Sequence, residues 1–421
     1  MQLLTRWQKL PLYLRTLIGM ILGAAVGLWL GVDAAALAKP GSILMGLLQM
    51  LAAPVAFFAI VHALAGAKIE KGKTPQLITL LITNTVMAIL IGLLIANLIQ
   101  PGKRKALQES ERIGIEQQAV QLQDTISEAG KSAKETQVID SFYHILEKLP
   151  KTVLGPFTDG NVLGVIILAI LLGLALRKVS PDIHATTTTV KVFMDAFLAI
   201  LHWVVQLVPF IVFGVVAAEV GKNGLSSFIS LVWLIVAVLA ALSLQFLYYM
   251  IRVSLQSWVS PRLLIHHCRD ALVMAFSTAS STATMPVTYE CLRANLKLRK
   301  QSANLGALVG ANFNNDGTAL YEAMAALFIA QLIGVELGLT QQLVVVICAM
   351  AASIGAAGIP SSGLLTMTLV LTAVGLPLEF SLLLIPIDWF LDRFRTMINV
   401  CGDLCVACVI DGKHPESEHL P

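Results

Sequence analysis

Six blocks of mainly apolar residues, at 13–32, 43–66, 77–99, 159–176, 193–218 and 228–250, are each long enough to cross a hydrocarbon core as a helix. Four further blocks, near 262–290, 303–333, 341–373 and 382–410, are as long but are broken by clusters of Gly, Pro, Ser, Thr and Asn. The one long polar insert is Lys103 to Lys151, where Glu109 to Thr136 reads as a solvated helix or flexible loop.

The interruptions matter because helix-breaking sequence at membrane depth is tolerated only where protein buries it or it lines a cavity. Residues 277–286 read Ser277-Thr278-Ala279-Ser280-Ser281-Thr282-Ala283-Thr284-Met285-Pro286. Residues 353–363 read Ser353-Ile354-Gly355-Ala356-Ala357-Gly358-Ile359-Pro360-Ser361-Ser362-Gly363. Each lies between apolar halves too short to span separately, so each predicts a re-entrant hairpin with its tip at depth. Such a tip offers amide N–H groups at a half-helix N-terminus to carboxylates and free carbonyls to cations. Small residues packing ordinary helices together is the alternative. Between the two lies Gly310-Ala311-Asn312-Phe313-Asn314-Asn315-Asp316-Gly317-Thr318, which predicts an unwound stretch of hard oxygen ligands suited to an alkali cation. Glu322 follows one turn later; a carboxylate among apolar neighbours in a span is a candidate proton carrier.

The last block carries five ionised residues, Asp388, Asp392, Arg393, Arg395 and Asp403. Each costs about 2.5–3.5 kcal/mol at mid-bilayer on insertion scales, so they mark a functional site by default. At about 100° per residue, Asp388, Asp392, Arg395, Thr396, Asn399 and Asp403 share one arc, with Arg393 off its edge and Cys401, Cys405 and Cys408 opposite. A stripe with both charge signs suits a zwitterionic or anionic solute together with cations. A purely structural ion-pair network is the alternative.

Composition agrees. The chain is 57% hydrophobic and 13% charged, against about a quarter charged in soluble proteins, which makes it a polytopic membrane protein and excludes nucleic-acid binding as its business. Basic residues cluster before the first block, between the second and third, after the fourth, after the sixth and before the broken seventh. The positive-inside rule then puts both termini in the cytoplasm and the polar insert outside. Ala34 to Ala38 imitates a signal-peptidase site, but the segments that follow form a bundle that the first block joins, so it is read as a retained span. The six Cys form no metal or disulfide framework and read as buried thiols.

Ser280-Ser281-Thr282-Ala283-Thr284, Asn314-Asn315-Asp316-Gly317-Thr318-Ala319-Leu320-Tyr321, Ala352-Ser353-Ile354-Gly355-Ala356-Ala357-Gly358-Ile359-Pro360 and the Asp388 to Asp403 stretch together resemble the dicarboxylate/amino acid:cation symporters, the glutamate and aspartate transporters. Motif matching is dense from about residue 270 to 410; before that, the likeness is in segment order. The resemblance implies an all-α fold of eight transmembrane helices and two re-entrant hairpins, built as inverted repeats, in a plasma (inner) membrane homotrimer. It divides the chain into scaffold helices 1–2 (1–76), transport-domain helix 3 (77–101), an external loop and the start of helix 4 (102–158), scaffold helices 4–5 (159–222) and the rest of the transport domain with a cytoplasmic tail (223–421). The transport domain would move like an elevator.

Carried over residue by residue, Arg395 would take the substrate's side-chain carboxylate and Asp392 its ammonium. Thr396 and Asn399 would bind the main-chain carboxylate with Ser280 and Ser281 at the first tip, and Thr318, Ile359 and Gly363 would complete the pocket. Asp403 with carbonyls of Gly310, Asn314 and Asn399 would form one sodium site. Asp316 and Asn314 with Asn84 and Thr85 would form a second, and carbonyls of Ser353, Ile354 and Ala356 a third. Glu322 and Arg393 resemble the animal-type members, in which the Glu goes with proton cotransport, while Asp388 would orient Arg393 or Arg395. Sodium is thus the implied coupling ion, with no organic cofactor. The chain departs from the family at Asn312, Asn315, Leu81 and Asn84, where Thr, Met, Tyr and Thr are usual. The expectation is a secondary active symporter of acidic amino acids, not an enzyme. Alternatives are a carrier of neutral amino acids or C4-dicarboxylates and, in another class, an anion channel.

Overall fold

The computed structural model describes residue 10 and residues 12–66, 74–104, 152–158, 162–179, 183–355 and 362–414. Every regular element among them is helical. We label the main helices α1 (Leu12–Leu30), α2 (Lys39–Gly66), α3 (Thr74–Ile99), α4 (Val162–Val179), α5 (Ile183–Val205), α6 (Val208–Asn223), α7 (Phe228–Gln256), α8 (Pro261–Thr278), α9 (Ser281–Glu290), α10 (Asp316–Leu332), α11 (Leu339–Gly355), α12 (Ser362–Ala373) and α13 (Ile385–Asp411). The polar insert lies outside the described residues from 105 to 151, and so does the second tip from 356 to 361, with Ala356 and Ile359.

Four helical stretches, Leu14–Gly41, Pro75–Lys103, His184–Val204 and Ile229–Gln256, are by themselves long and apolar enough to cross a membrane. Their outward faces carry Leu90, Leu94 and Leu98 on α3 and Val232, Val236, Leu247 and Ile251 on α7, all exposed. A continuous apolar exterior of this kind is what hydrocarbon covers. The chain is a multi-pass membrane protein.

The fifth apolar block is two helices rather than one. α5 ends at Val205, and α6 starts with Pro209 in its first turn. Proline has no N–H to donate to residue 205, and its ring displaces that carbonyl. α5 closes in a tighter turn, with Leu207 N donating to the Val204 carbonyl at 3.0 Å.

Two packing groups emerge. In the first, α1 lies along α6, and α2 packs on α4 and α5. The α1–α6 approach depends on Gly19, Gly23 and Gly27, where an added Cβ would run into the carbonyl oxygens of Pro209, Phe213 and Ala217. In the second group, α3 packs on α7 and α10, α7 and α8 on α13, α9 on α8, and α10 on α11, α12 and α13. α11 and α12 also touch α2, so the groups meet along the second hairpin. α10 and α13 form the centre of the second group, with nearly every residue buried from Asp316 to Leu332 and from Leu391 to Asp411.

Backbone-to-backbone contact through glycine leaves no slack. Gly23→Ala should separate α1 from α6 and cost about 1–3 kcal/mol, seen as a lower Tm of the purified protein. An unchanged Tm would mean that this contact does not hold the two helices together.

Candidate functional site

Two breaks in helices converge on α13. The first is the hairpin of α8 and α9. Ala279 sits in the left-handed region at φ +50°, ending α8, and Ser280 caps α9 by accepting from Ala283 N at 3.1 Å. The carbonyls of Phe276 and Ser277, left without helical partners at the end of α8, accept from Arg393 Nη1 at 3.0 and 2.9 Å. A guanidinium suits that helix end both as a donor and by its charge. Arg393 therefore fastens α13 to the first hairpin, and Ser281 Oγ is buried there with no partner in the protein.

The second break separates α10 from the wide helical turns before it. Asn314 and Asn315 leave helical geometry, with ψ of 71° and 48°, and α10 begins at Asp316. The freed groups are bound from other elements. Asn315 Nδ2 donates to the Ser353 carbonyl of α11 at 2.9 Å, and Asn314 Nδ2 donates to the Asn399 carbonyl and to Asp403 Oδ1, both at 3.2 Å. Asn314 Oδ1 has no partner among the described residues. At Gly310 an added Cβ would lie 2.5 Å from Asp403 Oδ1, so only glycine lets that carboxylate approach the backbone.

Asn399 joins the break to α13. Its Oδ1 accepts from Gly317 N at 2.7 Å, and its Nδ2 donates to Thr318 Oγ1 at 3.2 Å and Asn315 Oδ1 at 3.4 Å. Asp316 is fully buried; Thr85 Oγ1 donates to Oδ1 at 2.6 Å and Tyr249 Oη to Oδ2 at 2.5 Å. Asn84, on the same turn as Thr85, accepts from Arg252 Nη1. Glu322, also fully buried, accepts from Thr366 Oγ1 of α12, while its Oε2 has no protein partner.

Arg395 is the largest side chain buried without exposure. Its Nη2 donates to Asp388 Oδ1 at 2.8 Å and Asp392 Oδ1 at 2.9 Å. Its guanidinium carbon lies 4.2 Å from the centroid of the Tyr321 ring, within range of a cation–π contact. Nε and Nη1 find no hydrogen-bond partner among the described residues. An added Cβ at Gly363, on α12, would stand 2.8 Å from Nη1, so glycine keeps that side of the guanidinium open. The carboxylates that hold Arg395 leave part of its donor fork unused, in a place where unused donors are costly.

The structure thus brings together Asp388, Asp392, Arg395, Tyr321 and Gly363 around one guanidinium, and Asn314, Asn315, Thr318, Asn399 and Asp403 around the break before α10. Thr396 is buried on α13. Asn84, Thr85 and Asp316 meet between α3, α7 and α10, away from the guanidinium. Tyr249, Arg252 and Thr366 carry contacts that the sequence reading did not assign. Their signal was a Tyr248-Tyr249 pair followed by Arg252 inside an apolar helix, and a run of threonines, Thr366, Thr368 and Thr372, along α12.

A family profile described as the sodium:dicarboxylate symporter family matches residues 12–413. Among similar proteins, an excitatory amino acid transporter of Caenorhabditis elegans is 29% identical over 97% of this chain and 89% of its own length. Excitatory amino acid transporter 1 of Ambystoma tigrinum is 32% identical over 88% and 76%, and excitatory amino acid transporter 3 of Mus musculus 30% identical over 94% and 83%.

Removing one partner of a buried ion pair strands the other. Asp388→Ala should cost about 3–5 kcal/mol and lower the Tm, with Asp388→Asn, which keeps an acceptor for Nη2, losing less. Equal Tm values for both variants and the parent would mean that Asp392 alone satisfies the guanidinium.

Proposed function

This chain belongs to the sodium:dicarboxylate symporter family, and from that membership we propose that it is a secondary active symporter of acidic amino acids, driven by a sodium gradient and coupled to protons. One observation carries the substrate reading: the buried guanidinium of Arg395 with Nε and Nη1 unpartnered among the described residues. A planar fork with donors to spare is the group that recognises a carboxylate. Asp392 alongside supplies an anionic acceptor for an ammonium group. A substrate with both an ammonium and a second carboxylate satisfies the two, which favours glutamate or aspartate over a neutral amino acid or a C4-dicarboxylate. In this reading Asn399, Thr396, Thr318 and the first tip at Ser280 and Ser281 take the main-chain carboxylate.

Carrying an anion into a negative interior is opposed by about 2.3 kcal/mol per charge per 100 mV. Cations travelling with it reverse that sign. Asp403, Gly310, Asn314 and Asn399 are suited to a sodium ion, since the buried Asn314 Oδ1 has no donor among the described residues to satisfy it and hard oxygen donors surround it. Glu322 is the proton-carrying group of the proposal, with one carboxylate oxygen held by Thr366 and the other unpartnered. The group of α1, α2, α4, α5 and α6 would be the fixed scaffold of a homotrimer. The group built on α10 and α13 would be the part that moves as an elevator. Their separate packing supports this division.

Uptake of labelled aspartate, glutamate, succinate and serine into proteoliposomes, with sodium and proton gradients imposed separately, tests the proposal. Aspartate and glutamate should accumulate when the external side is rich in sodium, and faster when it is acidic. Accumulation indifferent to both gradients would refute symport. Arg395→Cys should weaken acidic substrates by about thirtyfold or more relative to serine, the loss of a buried charge-assisted contact of about 2–5 kcal/mol; parallel losses for both would remove the carboxylate contact. Glu322→Gln cannot bind and release a proton, so its uptake should no longer rise with external acidity. A retained pH profile would place proton coupling elsewhere.

A further inference from the structure

The pocket around Asp316 has a cation of its own. α3 and α7 run side by side here, and each contributes two consecutive residues. Thr85 and Tyr249 donate their hydroxyls to the two oxygens of Asp316, at 2.6 and 2.5 Å. Their chain neighbours, Asn84 and Tyr248, turn to Arg252 instead. Arg252 Nη1 donates to Asn84 Oδ1, to Tyr248 Oη at 2.8 Å and to Thr83 Oγ1 at 3.0 Å. Its guanidinium carbon lies 5.7 Å from the Tyr248 ring centroid. Asn84 is fully buried, and its amide nitrogen has no partner among the described residues.

This arrangement does not fit a sodium ion at the position that Asn84, Thr85 and Asp316 would ligate. Sodium requires oxygen lone pairs, and the one oxygen that Asn84 can offer faces a charged donor. What Asn84 leaves over is an N–H pair, which repels a cation. Any ion in contact with Asn84 Oδ1 would lie beside a guanidinium that stays protonated at every accessible pH, and like charges at such range disfavour each other. Asp316, meanwhile, has both oxygens held by hydroxyls, and the chain neighbours of those hydroxyl residues, Asn84 and Tyr248, both bind the Arg252 guanidinium.

We propose that Arg252 is a resident counter-ion for the Asp316 pocket and that it sets the number of sodium ions coupled to each substrate, one fewer than the acidic residues alone would suggest. This rests on the reading of the chain as a sodium symporter. Asn84 is then a bridge that holds the guanidinium in place, and the charge it brings moves with the protein rather than with the solute.

The test measures aspartate binding to the purified full-length chain by titration calorimetry while sodium is exchanged for choline at constant ionic strength. The slope of log Kd against log sodium concentration counts the ions taken up with the substrate. Arg252→Met and Arg252→Gln should steepen that slope by about one ion, and Arg252→Lys should leave it as in the parent. Adding Thr85→Ala to Arg252→Met should return the slope to the parental value. Unchanged slopes in both the Met and Gln variants would overturn the proposal, and so would a lower slope for Thr85→Ala in the parent background. A parental slope of zero would remove the sodium reading of the function, while the comparison of the Arg252 variants would still decide the role of that residue.

Discussion

The site depends on one costly interaction, a guanidinium with no exposure held by two carboxylates of its own helix. A charge in that position is tolerated only if its surroundings compensate it. Asp388 and Asp392 do so from one side, on Nη2, and the face of Tyr321 covers another. This compensation is lopsided, and the lopsidedness is the useful part. Two carboxylates bound to a single nitrogen leave the group's Nε and Nη1 without an acceptor among the described residues. Gly363 keeps side-chain atoms from filling the space against Nη1. A symmetric set of acceptors would have made a more stable core and a site with nothing left to bind.

The rest of the architecture positions that helix. α13 can carry Asp388, Asp392 and Arg395 because they pair with one another, and its other polar residues because they meet partners from broken elements. Arg393 is fixed to the end of α8, Asn399 to the start of α10, and Asp403 to the turn before it. Breaks in helices free backbone and amide groups, and at membrane depth those groups need partners from elsewhere in the protein. Glycine sets how closely the partners approach: at Gly317 an added Cβ would stand 2.6 Å from the Arg395 carbonyl, and at Gly92 it would stand 2.9 Å from that of Leu320. Close backbone packing between helices does in hydrocarbon what apolar burial does in water.

Much of this was legible in the order of residues. The spacing of Asp388, Asp392 and Arg395 along one helical arc leads directly to their meeting, because a helix fixes its own geometry. The breaks at Ala279 and at Asn314-Asn315 were marked by hydroxyl, glycine and amide clusters that an apolar helix cannot absorb. The break between α5 and α6 was harder to see, because Pro209 stands alone in an apolar run. The partners of Asp316 were beyond reach for a different reason. Thr85 is 231 residues away in sequence and Tyr249 is 67, and no local pattern links positions that only packing brings together. Arg252 was read as a charge at the cytoplasmic end of a span, which is where its Cα lies in the sequence pattern. A long side chain can reach back along its helix into the protein, and here it reaches Asn84.

The three arginines around these breaks therefore differ in what their charge meets. Arg393 spends its charge on the two carbonyls that end α8, and it acts as a fastening. Arg252 spends its charge on Asn84, Thr83 and Tyr248, beside a carboxylate whose oxygens are already occupied by hydroxyls. Arg395 alone of the three is fully buried, and its charge is answered by two carboxylates while its Nε and Nη1 donors lack an acceptor among the described residues. The acidic residues divide in the same way. Asp388 and Asp392 answer Arg395, and Asp316 is answered from α3 and α7. Asp403 is approached by the amide of Asn314 and, through Gly310, by the backbone, with no arginine within bonding distance among the described residues. Asp403 therefore differs physically from Asp316, whose two oxygens are held by the Thr85 and Tyr249 hydroxyls.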